Sequence, residues 1–496
     1  MRSVVLIGLG VAAGIAGLRW LRVAQREHYL GGTVARFAWR WWTLGPVSIG
    51  LGLVVLAGLG ACLVREPFAL LTALAVALGP PGLGLRGRTS PLAWTGRLRR
   101  LALVVGVVVA LALLAGWFLH VWVTAVVVTA LPVVFDLALV LLAPVERRMG
   151  DPWVDKAARA LSGSGAKVVA ITGSYGKTST KGYVAQLLAG DRRVLASPAS
   201  FNNRMGLARA INEHLAGGLD VFIAEMGTYG KGEIADLCAW IPPDIAVITA
   251  IGPVHLERFG SEENIVEAKA EILERASVAI LNVDDPRLAA VAERERGRRR
   301  VITASTGATA DVRVVDGEVS IDGALIARAP ETAHHGNVAC AVAVAVALGV
   351  STEEIRERLG GLTEPEHRRT VITGAGGAMI IDDTFNSNPA GARAALEMLQ
   401  TLDVSGRRVV VTPGMVELGR RQEDENRAFA AQAARVADFV AVVGRTNRRA
   451  LVAGARQGEA EVLVFPDREA AVAWVRSHLG PGDAVLYEND LPDHFP

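Results

Sequence analysis

Val168-Val-Ala-Ile-Thr-Gly-Ser-Tyr-Gly-Lys-Thr-Ser-Thr-Lys181 decides how this chain is read. An apolar run ends at Thr172. A short loop with Gly173, Ser174 and Gly176 follows, and Lys177, Thr178 and Ser179 open a predicted helix. Strand, glycine turn and helix start together hold a polyphosphate, because glycines let backbone N–H groups approach the phosphates and the helix N-terminus adds partial positive charge. Lys177 supplies a point charge to the terminal phosphates, and the Thr178 hydroxyl is a magnesium ligand. A complete P-loop has glycine six residues before the lysine, where Ile171 stands here. Alone, the loop is a partial match, with an ordinary strand-to-helix turn as the alternative.

Working outward, the 496 residues allow about three domains. Lys+Arg 52 against Asp+Glu 50 gives a net charge of +2, which calls for no nucleic-acid partner. Cys62, Cys238 and Cys340 lie far apart, with neither metal spacing nor a disulfide framework, and read as small buried residues. Hydrophobic residues reach 51%, and their excess lies before about residue 146. Ser3–Leu18, Leu44–Val64, Pro67–Leu85 and Leu101–Val145 are apolar runs. A span needs ~20 residues, so the last run has room for two and about five membrane helices are expected. Arg19, Arg22, Arg26, Arg36 and Arg40 fill the first loop, Arg86, Arg88, Arg97, Arg99 and Arg100 the third, and Arg147 and Arg148 follow the last span. The positive-inside rule then places everything after Val145 in the cytoplasm and the N-terminus outside. Trp20, Trp39, Trp41 and Trp42 are expected at headgroup level. Asp136 is either a polar contact inside the bundle or a residue reaching an interface.

From Asp151 the composition is that of an α/β protein. Val168–Thr172, Val221–Glu225, Ile245–Ala250 and Val278–Asn282 read as strands with helices between them, which predicts a mostly parallel sheet. Asp316-Gly317 and Asp322-Gly323 mark hairpin turns, and Thr332–Gly349 reads as a buried helix. A second α/β unit begins near Glu366, with a hairpin in Val371–Ile381 and strands at Arg408–Thr412, Phe439–Val443, Glu461–Phe465 and Ala484–Tyr487. Glu293–Arg300 is a charge run and reads as a solvated face.

Ligands in open α/β sheets collect at the carboxyl ends of strands. Besides the loop, Glu225 stands there, and a carboxylate facing phosphates can hold Mg²⁺. So do His255, within Gly252–Gly260, and the cluster Ile381-Asp-Asp-Thr-Phe-Asn-Ser-Asn-Pro389. Lys269 follows on a helix. Each has a plain structural alternative: a core histidine, a turn and cap, a solvated lysine.

Taken together, the segments resemble the Mur ligase superfamily, most closely its branch that adds D-alanyl-D-alanine to the peptidoglycan precursor. The resemblance runs over residues 167–445. It rests on Thr172–Ser179, Ser200-Phe-Asn-Asn203 with Gly206, Glu225-Met-Gly227 with Gly232-Glu-Ile234, His255-Leu-Glu257 with Phe259-Gly-Ser261, Ala268-Lys269, Asn282–Pro286, His335–Asn337, His367-Arg368, Asp382-Asp383 with Asn386 and Asn388-Pro389, and Met415–Gly419. The resemblance implies an α/β ligase with ATP and Mg²⁺. Residues 1–148 are expected as the transmembrane region, 149–363 as the central ATP-binding domain and 364–496 as a Rossmann-like C-terminal domain. A carboxylate is phosphorylated by ATP and the acyl phosphate is attacked by an amine, chemistry that needs charge cancellation and in-line positioning. By resemblance, Gly173, Ser174, Gly176, Lys177, Thr178, Ser179, Asn337, Arg368 and Asp383 bind ATP. Thr178, Glu225, His255 and a carbamylated Lys269 hold metal. Lys177, His255 and Lys269 carry the chemistry, and Asn202, Asn203, Asn386 and Asn388 face substrate.

Two departures shape the expectation. The bundle takes the place of the cytoplasmic members' UDP-sugar domain, so the acceptor carboxylate is expected to be UDP-linked or lipid-linked, with membrane lipids as further partners and an amino acid or peptide as amine donor. The family's final Lys-Gly-Ser is replaced by Tyr487-Glu-Asn-Asp-Leu-Pro-Asp-His-Phe-Pro496. The expected protein is a multi-pass, bacterial-type cytoplasmic-membrane ligase of envelope synthesis with its catalytic domains in the cytoplasm. The alternatives are a polyglutamate-type synthetase and a catalytically idle nucleotide-binding scaffold.

Overall fold

A computed structural model describes the chain except residues 86, 88–90, 191, 199, 200, 308, 331, 332, 364–369, 375 and 385–387. It divides into two units. One is Met1–Met149 with Gly444–Arg448 and Asp490–Pro496, and the other is Gly150–Val443 with Arg449–Asn489.

The first unit is helical. Arg2–Arg26 and Gly96–Phe118 are long and apolar enough to cross a membrane singly. Thr33–Thr43 with Pro46–Ala61, and Val121–Thr129 with Leu131–Ser164, qualify only as pairs bent by 109° and 71°. Against the five expected spans, the described residues hold two helices long and apolar enough to cross, or up to four such elements if each bent pair is one span. The third apolar run fails for a physical reason. Its helix, Ala69–Leu78, stops before Gly79-Pro80, and ten residues rise only about 15 Å. Asp136 is resolved as a contact inside the bundle. Its carboxylate accepts the backbone N–H of Val34 (3.1 Å) and Ala35 (2.8 Å) at the start of Thr33–Thr43, where orphan amides and the helix dipole favour an anion. Trp20 and Trp41 are buried in the bundle core, while Trp39 is exposed. On Thr33–Thr43 the residues Val34, Phe37, Ala38 and Trp41 share the buried stripe.

The C-terminal seven residues belong to this unit. The Trp41 Nε1–H donates to the His494 carbonyl (2.9 Å), His494 Nε2 meets Glu27 Oε1 (2.8 Å), and Arg22 donates to the Asp493 carbonyl (3.1 Å). Phe37 lies against His494 and Phe495, with ring centroids 4.8 and 4.9 Å away.

The second unit carries two sheets. The strands of the first are β1 (Lys167–Thr172), β2 (Val194–Ala196), β3 (Val221–Glu225), β4 (Ile245–Ile248), β5 (Val278–Asn282), β6 (Arg300–Ser305), β7 (Val312–Val315), β8 (Glu318–Ile321) and β9 (Ala324–Arg328). Their order is β2-β3-β1-β4-β5-β6-β7-β8-β9. Pairing is parallel from β2 to β7 and antiparallel in the β7–β9 hairpins. Asp316-Gly317 and Asp322-Gly323 all have positive φ, as two-residue hairpin turns require. Strand β6 was not anticipated, because the charge run before it ends in the strand's own first residue, Arg300.

Apolar side chains cover both faces of this sheet. The helix His335–Ala347 is buried almost throughout, as a run of Ala and Val with no polar stripe must be. The second sheet has β10 (Thr370–Thr373), β11 (Met379–Asp383), β12 (Arg408–Thr412), β13 (Phe439–Val443), β14 (Glu461–Phe465) and β15 (Ala484–Glu488), in the order β10-β11-β15-β12-β13-β14. All its pairs are parallel except β10 with β11. The fold class is the expected one: an N-terminal helical unit, then two parallel-rich α/β sheets.

Candidate active site

The loop after β1 is braced by the end of β4. Ser174 N–H donates to the Ala250 carbonyl (2.8 Å), and its hydroxyl donates to the Gly252 carbonyl (3.1 Å). Thr249 Oγ1 donates to the Thr172 carbonyl (3.2 Å) and to the Tyr175 carbonyl. The two glycines are needed. A Cβ on Gly173 would lie 2.0 Å from Thr249 Oγ1, and one on Gly176, at φ +78°, would lie 2.2 Å from Asn337 Oδ1. Asn337 therefore packs on the loop itself, from the first turn of His335–Ala347. Lys177 opens the helix Lys177–Leu188, and its ammonium donates to the Gly173 carbonyl (2.9 Å). Ser179 is buried on that helix.

Glu225 ends β3 next to the loop. Its Oε2 accepts from the Thr178 hydroxyl (3.0 Å) and the Lys181 ammonium (3.0 Å), and its Oε1 accepts from Asn202 Nδ2 (3.2 Å). Burial alone would raise this carboxyl, but the Lys181 and Lys177 charges hold it below its ordinary value. Lys181 was legible only as the end of the opening motif. Three residues beyond Thr178, it shares that residue's helix face.

Among the described residues no group of three or more His, Cys, Asp or Glu could hold a metal by itself. The donors present are nevertheless a threonine hydroxyl and a carboxylate sharing one direction. Mg²⁺ takes such oxygen sets when phosphates and water complete the shell, so these residues fit a nucleotide-bound cation.

His255 sits before the short helix Leu256–Phe259 with φ +60°. Its Nδ1 contacts a carboxylate oxygen of Glu417, and Tyr229 stacks edge-on at 4.9 Å. Burial lowers its pKa, so the ring is held neutral. Glu417 also accepts from Arg258 (3.1 Å). Burial would raise Glu417, but His255 and Arg258 hold it down at about 2. Lys269 is buried, and burial with the neighbouring Lys177 charge pushes its pKa well below the ordinary value. A neutral buried amine is the nucleophilic form that carbamylation requires. Tyr229, Arg258 and Glu417 were given no role by the sequence: Arg258 and Glu417 lie in the noted segments Gly252–Gly260 and Met415–Gly419, but no local pattern sets them apart from their neighbours there.

The remaining predicted residues are more scattered. Asn203 caps the helix Arg204–His214, accepting from Gly206 N–H (3.0 Å), and Asn388 caps Pro389–Thr401, accepting from Gly391 N–H (2.9 Å). Asn202 faces Glu225. Asp383 ends β11, where its backbone carbonyl accepts from Asn489 N–H (3.1 Å). Arg368 and Asn386 lie outside the described residues. Glu488, fully buried at the end of β15, was not foreseen. Its Oε2 accepts from Thr412 (2.5 Å), and burial with Asp383 nearby pushes its pKa up to about 8.

A phosphate-type loop on a parallel sheet, with a carboxylate against it and a buried histidine and a buried lysine close to its Lys177, defines a nucleotide-dependent α/β enzyme. Comparison with known families identifies which one. Residues 171–343 match the Mur ligase middle domain, and residues 367–487 match the Mur ligase, glutamate ligase domain. The UDP-N-acetylmuramoyl-tripeptide--D-alanyl-D-alanine ligase of Mycobacterium tuberculosis is 34% identical over 369 residues, covering 66% of this chain and 71% of the relative. That of Bacillus subtilis is 31% identical over 272 residues, covering 52% and 58%. Among solved structures, MurF from Acinetobacter baumannii superposes with a TM-score of 0.60 at 26% identity, covering 68% of this chain and 77% of that one. MurF from Thermotoga maritima in complex with ADP gives 0.58 at 27%, covering 68% and 80%. The chain belongs to the Mur ligase family and is an ATP-dependent ligase of the peptidoglycan-synthesis type.

Proposed function

We propose that the protein joins an acceptor carboxylate to the amine of an amino acid or peptide at a membrane, with ATP bound on Gly173–Ser179. The observation that carries this reading is the convergence of Lys177, Thr178 and Glu225 on one side of a glycine loop that only backbone could approach closely. Lys177 binds the β- and γ-phosphates, moving off the Gly173 carbonyl to do so. Thr178 and Glu225 hold Mg²⁺, His255 helps place a second metal, and Lys269 serves as a carbamate. Magnesium, when bound, neutralises charge developing on the transferred phosphoryl group. Asn337 and Asp383, with Arg368, contact the nucleotide. Asn202, which donates to Glu225, lies on the substrate side with Asn203, Asn386 and Asn388. Attack of the amine on the acyl phosphate forms the C–N bond, releases phosphate and gives up the amine proton to a base or to water.

The relatives' names give the first substrates to try, UDP-N-acetylmuramoyl-tripeptide and D-alanyl-D-alanine. A lipid-linked acceptor is the second reading, supported by the apolar helices that stand before the ligase domains. Full-length protein is incubated with ATP, D-alanyl-D-alanine and either the UDP-linked tripeptide or a membrane extract, and products are identified by mass spectrometry with ADP release as the rate. Lys177→Ala is expected to abolish ADP release while ordered structure persists. Unchanged release would remove the loop assignment, and no turnover with any acceptor alongside intact ATP binding would favour an idle scaffold.

A further inference from the structure

We infer that Glu417 is a positioning residue that fixes the His255 ring, so that the Met415–Arg421 segment, which follows β12, completes the site built on the first sheet. The inference rests on His255 being a site residue.

The contact is built from several directions. One Glu417 oxygen meets His255 Nδ1 and the other meets Arg258, 3.1 Å away. The Arg258 guanidinium lies 4.6 Å over the Tyr229 ring, and Tyr229 stacks edge-on against His255. The four side chains thus close a ring of contacts around the imidazole. The backbones meet too: the Glu257 N–H points at the Glu417 carbonyl (3.4 Å), and a Cβ on Gly419, at φ +55°, would lie 3.2 Å from Glu257 N. Arg421 pairs with Glu262 at 2.6 Å.

Both members of the central pair are strained. His255 has φ +60° and Glu417 φ +64°, and a left-handed non-glycine residue persists only where its surroundings impose it. Two such residues meeting side chain to side chain, from segments 162 apart in sequence, mark a geometry the fold holds against local preference. The consequence for the ring is chemical. An ionised carboxylate can only accept, so Nδ1 carries the proton and the lone pair of the neutral ring lies on Nε2. Partners of this kind set the tautomer and orientation of metal-directed histidines, and their loss typically lowers activity 10–100-fold. Here that partner comes from the second sheet's segment, so any opening between the two segments would release the ring.

The test uses full-length protein with Glu417→Ala, Glu417→Gln and His255→Ala. Steady-state kinetics are expected to show kcat for Glu417→Ala down about 10–100-fold with the KM for ATP little changed, and Glu417→Gln, whose amide oxygen still accepts from Nδ1–H, restoring most of the loss. Without nucleotide, selective ¹⁵N-histidine spectra should show the Nδ1-protonated tautomer at His255, assigned by its absence in His255→Ala, and mixed tautomers in Glu417→Ala. If His255→Ala leaves turnover intact, the site reading itself is wrong. If His255→Ala slows turnover but Glu417→Ala changes neither kcat nor tautomer, only the inference about Glu417 is overturned. Glu417→Gln as slow as Glu417→Ala would also overturn it.

Discussion

Replacing Lys181 by methionine should loosen the sheet beneath the phosphate loop. The ammonium lies 3.0 Å from Glu225 Oε2, with side-chain exposures of 7% and 3%. At an effective dielectric of about 20 such a pair attracts by roughly 5 kcal/mol before desolvation is counted. Desolvation consumes much of that, so the pair itself adds little net stability, yet removing one partner strands a buried charge and costs about 3–5 kcal/mol. Glu225 would keep Thr178 and Asn202, which places the expected loss toward the lower end. Hydrogen exchange reads it directly, because β3 is paired on both sides, by β2 and β1, and is buried along its length. A loss of about 3 kcal/mol corresponds to roughly a hundredfold faster exchange at Phe222–Glu225. Adding Glu225→Gln should recover most of it, since no unpaired charge then remains. Exchange within about threefold of the parent in Lys181→Met, or no recovery in the double variant, would refute the reasoning.

Two further outcomes follow from buried groups. Glu488 has a folded-state pKa near 8 against an ordinary 4.5, so the folded protein binds the extra proton; its contribution is fully present below the lower value and is lost as pH rises through the upper one. Glu488→Gln should therefore gain in Tm on the parent between about pH 5 and 8, and a gap that does not change with pH would sink the assignment. In the helical unit, His494→Ala leaves the buried Glu27 carboxylate without its ring partner. Exchange at the Thr446 amide, which donates to the Pro496 carbonyl (3.0 Å), should then rise at least tenfold; an unchanged rate would mean that Trp41, Phe37 and Arg22 hold the C-terminal segment without the ring–carboxylate contact.

Much of the ligase architecture was legible in residues 167–445 because its signals are local. Strand ends at Thr172, Glu225 and Asn282 follow from apolar runs closed by polar residues, and the Asp-Gly pairs fix their turns through backbone sterics. The same reading expects five spans, where the described residues hold two candidate helices, or up to four with each bent pair as one. Apolar length measures what lipid tolerates, whereas the bends after Thr43 and Thr129 depend on how neighbouring helices pack. Nor does composition tell which face of an amphipathic helix finds a partner: Trp41 is buried in the bundle core and Trp39, on the same helix, is exposed.

The strand, glycine turn and lysine-led helix start at Gly173–Ser179 were legible in sequence alone, because their spacing is a local feature. Tertiary structure decided what surrounds it. Lys181 became Glu225's counter-charge, Asn337 became the wall against Gly176, and Glu417 reached His255 across 162 residues. It also assigned Asp490–Pro496, part of the stretch that replaces the family's final Lys-Gly-Ser, to the helical unit. These contacts depend on strand order and on burial, where one buried charge demands a partner wherever in the chain it lies. No local pattern of residues encodes that demand.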